Sequence, residues 1–144
     1  MSESLLHTIL TKCYCGAVAL CSEADARGIV HCHCGQCRRL SGNAFTTWVS
    51  LQKRAVHVAG AENIAVFNVT SNVARHFCKV CGSHAYTTDN RYPEILGVAA
   101  GSVEGSLPAM PKAHYFVSHK AAWHTISDTL PQFGGKSGFE PTAV

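Results

Sequence analysis

Hydrophobic positions fall in short runs separated by turn residues, and few of them keep a helical period. The segments Ala17 to Cys21, Phe45 to Leu51, Ala65 to Val69, Val73 to Phe77, His84 to Thr87, Ile95 to Ala99 and Ala113 to Val117 are rich in Val, Phe, Tyr, Thr and Ile. Runs of that kind, bounded by Gly, Pro, Asn and Ser, predict the strands of a mainly β domain. One segment differs. Gln36 to Leu40 follows Gly35, is built of straight-chain residues and ends near Ser41-Gly42, which predicts one short helical turn. From Gly134 to Val144 the chain is rich in Gly, Ser and Pro with no apolar period, so a loosely held tail is expected. With no internal repeat and no sign of a second domain, residues 1–144 read as a single domain, its core at about 11–133.

A chain of 144 residues with 47% hydrophobic and 15% charged positions can bury a core, which excludes a disordered segment. The longest uncharged apolar stretch, around Ile95 to Ala100, is interrupted by glycine and falls far short of the roughly 18 residues of a membrane span. Met1 to Thr11 lacks a basic segment and a small-residue cleavage site, so it does not read as a secretory signal, and a cytoplasmic location is expected. A formal charge of +3 spread along the chain is too little for a nucleic-acid footprint.

The eight cysteines change the picture. Cys13 and Cys15 form a CxC before Gly16, Cys32, Cys34 and Cys37 form CxCxxC, and Cys78 and Cys81 form a CxxC before Gly82; Cys21 stands alone and is expected to be a buried strand residue. A reducing compartment keeps thiols free, so such spacing points to metal. Soft thiolates in a tetrahedral arrangement favour zinc over an iron-sulfur cluster.

Seven clustered cysteines divide into four plus three. Cys13, Cys15, Cys78 and Cys81, with a glycine after each pair, would close a structural site whose binding energy counts as folding energy. Cys32, Cys34 and Cys37 supply three ligands and leave one tetrahedral position for water or substrate, the mark of a catalytic zinc. Alternatively, Cys21 or one of His31, His33, His76 and His84 closes this site too. His7, His57, His114, His119 and His124 follow no ligand spacing and are expected at the surface or as satisfied core residues. Cys37 would open the helical turn, where the helix N-terminus and the adjacent Arg38 and Arg39 favour a thiolate.

The segments CYCGAV (Cys13 to Val18), HCHCGQCRRLSGNAF (His31 to Phe45) and FCKVCGSHAY (Phe77 to Tyr86) resemble the glutathione-dependent formaldehyde-activating enzyme family, which includes centromere protein V. AWHTISDTLPQF, Ala122 to Phe133, is similar to the family's C-terminal segment. The resemblance implies a β-tent of stacked antiparallel sheets with two zinc ions per chain. It places the structural zinc at the positions of Cys13, Cys15, Cys78 and Cys81 and an open zinc at those of Cys32, Cys34 and Cys37. It also implies condensation of glutathione with formaldehyde to S-(hydroxymethyl)glutathione, the reverse of a carbon-sulfur lyase reaction.

Three thiolates lower the formal charge of a zinc site from +2 to −1, which makes a poor hydroxide generator. A low-molecular-weight thiol such as glutathione, held there as thiolate, remains a nucleophile toward formaldehyde or another small aldehyde. Arg38 or Arg39 would offset the negative charge. His33 and Ser41 are candidates for giving the developing alkoxide its proton, set against a surface imidazole and a turn-forming serine. Two other classes compete with the enzyme: a non-catalytic two-zinc module that binds a protein partner, and a redox switch in which Cys32, Cys34 and Cys37 form disulfides and release metal.

Overall fold

The structure, a computed structural model, describes residues 8–142. In chain order the elements are β1 (Ile9–Lys12), β2 (Ala19–Ser22), β3 (Gly28–Cys32), α1 (Gly35–Ser41), β4 (Thr46–Gln52), β5 (Val56–Ala59), β6 (Ile64–Asn68), β7 (Val73–Cys78), β8 (His84–Asp89), β9 (Ile95–Ala99), β10 (His114–Tyr115), β11 (Phe133–Gly134) and β12 (Glu140–Pro141). Short 3-10 turns punctuate them. The protein is mainly β, as the strand-like runs predict, and α1 is the one α-helix among the described residues. Among the described residues no helix is long and apolar enough to cross a membrane.

The described chain forms two compact units. The first comprises residues 8–27 and 49–108. In it β1, β2 and β5 make a three-stranded antiparallel sheet in that order, with Leu10 opposite Cys21 and Cys21 opposite His57. The end of β4, β9, β8, β7 and β6 lie side by side in that order, and a bulge between His76 and Phe77 shifts the β7–β8 register. Strand alternation sorts the side chains. Ile9 and Thr11 of β1 point inward while Leu10 and Lys12 face out, and Leu96 and Val98 of β9 join Val49 and Leu51 of β4 in the core. Val49 and Val98 are fully buried, each such side chain contributing ~1.5–3 kcal/mol of burial free energy.

The second unit comprises residues 28–48 and 109–142. Here β10 pairs in parallel with β3, placing His114 beside His31 and Tyr115 beside Cys32. The apolar core of this unit is small (Ile29, Ala44, Ala113, Ala121), and two histidines, His33 and His114, are buried with it. The predicted strand Ala113 to Val117 is only two residues long, because Phe116 adopts the left-handed region at φ 60 and turns the chain. The helical turn is longer than expected and ends at Gly42, whose amide donates to the Arg38 carbonyl.

The expectation of a loose tail from Gly134 does not hold as far as Thr142. β11 and β12 pair antiparallel, Phe116 donates its amide to the Gly138 carbonyl, and Phe139 packs 5.1 Å from the Tyr115 ring and 5.3 Å from that of Phe116. One aromatic in a Gly-Ser-Pro setting is enough to anchor the hairpin. Cys21 is half-buried rather than buried.

Candidate metal centres

Two hairpin turns of the first unit bring four cysteines together. The β1–β2 turn carries Cys13 and Cys15, and Cys78 at the end of β7 is followed by Cys81 in the β7–β8 turn. Their four Sγ atoms lie within 4.8 Å of one another, with Cys13 to Cys15 at 3.7 Å and Cys15 to Cys78 at 3.8 Å. Sulfurs set tetrahedrally about one zinc at its usual bond length stand roughly 3.8 Å apart. These are free thiols, far beyond disulfide length.

Both turns close alike. The Gly16 amide donates to the Cys13 carbonyl and the Gly82 amide to the Cys78 carbonyl, and each glycine sits at φ 82, which costs other residues strain. The Val18 amide donates to Cys13 Sγ at 3.3 Å, and Ser83 Oγ lies 3.2 Å from Cys81 Sγ. The Ser83 hydroxyl is the main cause that draws the Cys81 thiol down to about 5. At Cys15 the Ala17 amide favours thiolate, but desolvation and the sulfurs of Cys13, Cys81 and Cys78 outweigh it and push the thiol up to about 11. Crowded thiols lacking a counter-charge must split in this way, and a divalent cation removes the conflict.

The second unit gathers Cys32, Cys34 and Cys37 at the end of β3 and the start of α1, their sulfurs again within 4.8 Å of one another. Cys34 is the N-cap of the helix and accepts the Cys37 amide on its Sγ at 3.3 Å. Trp48 of β4 donates its indole Nε1–H to Cys37 Sγ at 3.3 Å, and Thr46 Oγ1 donates to the Cys37 carbonyl. The neighbouring thiols of Cys32 and Cys37 hold Cys34 far below the ordinary thiol range, while Cys34 and Cys37 push Cys32 far above it. This donor set also suits a soft cation. Among the described residues, no fourth nitrogen, carboxylate or sulfur lies within that reach of all three, so the cluster has three sides.

The model of the glutathione-dependent formaldehyde-activating enzyme family matches residues 8–119, a span that contains all seven clustered cysteines. The chain belongs to this family. A Halomonas elongata protein whose name carries the same description is 29% identical over 123 residues, covering 80% of this chain and 78% of its own. A crystal structure of a Rhodobacter sphaeroides protein superposes with a TM-score of 0.55 at 24% identity, covering 69% of this chain and 91% of that one, a likeness of fold.

In this formaldehyde-activating-family chain the other candidates named from the sequence are placed as follows. Arg38 donates Nη1 to the His119 carbonyl at 3.0 Å, while Arg39 is exposed. Ser41 spends its hydroxyl on the Cys37 carbonyl at 2.6 Å, a bond within the helix. His33 is not a surface imidazole. It is fully buried, its Nε2 lies 2.8 Å from His114 Nδ1, and its Nδ1 is buried without a hydrogen-bond partner. Burial first, then the charges of His114, His124, His31 and Lys120, lower it to about 4, so the ring is neutral at pH 7.

Spacing along the sequence did not single out the groups around His33. His114 Nε2 lies 2.9 Å from Asp128 Oδ2 and 3.1 Å from Oδ1. His31 stacks on His114 with ring centroids 4.7 Å apart and binds Thr47 Oγ1 through Nδ1. His31, His114 and Asp128 form a third set of donors within 4.8 Å of one another. The parallel register of β10 on β3 unites residues more than eighty positions apart, and spacing within a motif cannot register that. His7 lies outside the described residues.

Proposed function

We propose that the chain is a zinc-dependent enzyme of the carbon-sulfur lyase type, adding a small thiol such as glutathione to formaldehyde or a similar aldehyde, with Cys32, Cys34 and Cys37 as its reaction centre. The observation that carries this reading is the contrast between the clusters: four sulfurs make a closed set, whereas three leave one side open among the described residues. Family membership and the name carried by the Halomonas relative support the same substrates.

Cys13, Cys15, Cys78 and Cys81 hold a structural zinc in this reading, and Cys32, Cys34 and Cys37 hold the second. When bound there, zinc supplies a position at which a thiol ionises near neutral pH. Overall the thiol loses its proton, its sulfur bonds to the carbonyl carbon, the C=O π pair moves onto oxygen, and that oxygen takes up a proton, giving a hemithioacetal with no net change in atoms or charge. Arg39, exposed two residues beyond Cys37, is our candidate for the cation that offsets the added negative charge and meets a substrate carboxylate. Arg38, tied to the His119 carbonyl, joins α1 to the 3-10 turn Val117–His119. Ser41 is committed to the helix, which leaves His33, between Cys32 and Cys34 in the sequence, as the candidate proton carrier.

Because thiols add to formaldehyde unaided, the test is a rate. Exchange spectroscopy on an equilibrium mixture of glutathione, formaldehyde and their adduct reads interconversion directly. The purified protein is expected to accelerate it, and Cys34→Ser to return it to the uncatalysed value. Equal rates with and without the unaltered protein would overturn the enzymatic reading in favour of a two-metal binding module.

A further inference from the structure

Three donors other than cysteine converge in the second unit, each carried by a different segment. His31 comes from β3, His114 from β10 and Asp128 from the irregular chain that precedes β11. One ring nitrogen of each histidine and a carboxylate oxygen lie within 4.8 Å of one another. The backbone fixes all three. The His31 amide donates to the Ala113 carbonyl at 3.0 Å, the His114 amide to that of Pro131 at 2.9 Å, and the Leu130 amide to Asp128 Oδ1 at 3.0 Å.

The rings are held as well. His31 Nδ1 is bonded to Thr47 Oγ1 at 2.8 Å, His114 Nδ1 lies 2.8 Å from His33 Nε2, and the His31 and His114 rings stack with centroids 4.7 Å apart. A histidine that binds metal through one nitrogen is as a rule oriented by a hydrogen bond at the other. Both Nδ1 atoms are engaged in this way, which leaves Nε2 of each ring for a ligand. His114 Nε2 stands 2.9 Å from Asp128 Oδ2 and 3.1 Å from Oδ1. An imidazole nitrogen and a carboxylate oxygen bonded to one ion at ~2.0–2.2 Å stand roughly 3–3.5 Å apart, so an ion can replace the proton between them with little movement. His31 and Cys32 are consecutive in a strand and project to opposite faces, so these donors are set apart from the three-cysteine cluster.

We propose that His31, His114 and Asp128 form a third metal site, which takes a divalent transition ion such as Zn²⁺ or Co²⁺ through two imidazoles and a carboxylate. Imidazole donors select such ions over Mg²⁺ and Ca²⁺. The set carries one negative charge, against three or four in the thiolate clusters, and the Asp128 side chain is 45% exposed. It is therefore the weakest of the three, filling from added metal and emptying on purification while the thiolate centres keep their ions. When filled, it ties together three segments of a unit whose apolar core is small, and its binding energy adds to the stability of that unit.

The experiment titrates Co²⁺ into protein saturated with zinc and then freed of excess metal. One further ion per chain is expected, with weak d–d absorption and no thiolate-to-cobalt charge-transfer band. It should shift the imidazole proton signals of His31 and His114 and raise the thermal midpoint. Loss of an outer-shell partner alone weakens a metal site by about 10-fold or more, and loss of a ligand should do at least as much. Asp128→Asn, at a half-exposed side chain, and His31→Gln should each show that loss while both zinc ions stay bound. Cobalt that brings the charge-transfer band belongs to the cysteines and counts against this site. Absence of band-free cobalt, or band-free cobalt held equally well by both variants, would overturn the proposal.

Discussion

Trp48 shows how a residue outside every cysteine motif can govern one. Its indole N–H reaches Cys37 Sγ at 3.3 Å, and the same sulfur sits one helical turn from the Cys34 cap. A donor to a metal-bound thiolate stabilises the ionised ligand and fixes its orientation, and losing such a partner typically costs 10–100-fold in metal affinity. Trp48→Phe keeps the ring and removes the donor. Chelator competition should therefore find one of two zinc ions held about 10-fold or more weakly, with the other unchanged. Equal affinity at both sites would mean that the contact is incidental. In the sequence Trp48 reads only as a strand residue, eleven positions from its partner. The cysteines could be grouped in advance because their chemistry is specific, whereas indoles and imidazoles have many other uses. Sequence places His114 only as a surface or satisfied core residue and does not mark Asp128, and it leaves His33 between a proton carrier and a surface ring because nothing local foretells that β10 pairs beside β3.

Among the elements, the strands with strong β-branched or aromatic content were legible to within a residue or three. β9 matches its predicted range in full, and β7 and β8 begin where expected. Five of the described strands were not foreseen: β11 and β12 in the C-terminal segment, and β1, β3 and β5. β1 places Thr11 inside and Leu10 outside, which inverts the hydropathy signal. β3 buries only Ile29 and runs into the cysteine motif, and β5 leaves most of its residues exposed after Lys53 and Arg54. Such strands are defined by the neighbours that complete their hydrogen bonds rather than by their own pattern. The chain leaves β5 through Gly60, at φ 80, where an added Cβ would stand 1.8 Å from the Ala17 carbonyl oxygen. Both the conformation and the contact with backbone resist a side chain. Gly60→Ala should destabilise by about 2 kcal/mol or more, read as a lower thermal midpoint and lower denaturant midpoint. An unchanged midpoint would mean that the β2–β5 pairing can shift at little cost.

At the scale of the whole molecule, each cysteine cluster belongs to one compact unit, and the proposed function gives them different work. The four-cysteine set joins the β1–β2 and β7–β8 turns, and in our reading its metal contributes folding energy to strands with short, partly exposed faces. The three-cysteine set is built on a helix cap and the end of a two-strand parallel pair, and in the proposed function it is the one that meets substrate. The most direct test is the zinc-to-chain ratio of protein purified without chelator, measured beside its Cys34→Ser variant. Two independent centres require a ratio of about two falling to about one, with the variant still folded by far-UV circular dichroism. A ratio of about one in the unaltered protein, or global unfolding of the variant, would contradict the division into a closed structural site and an open reactive one.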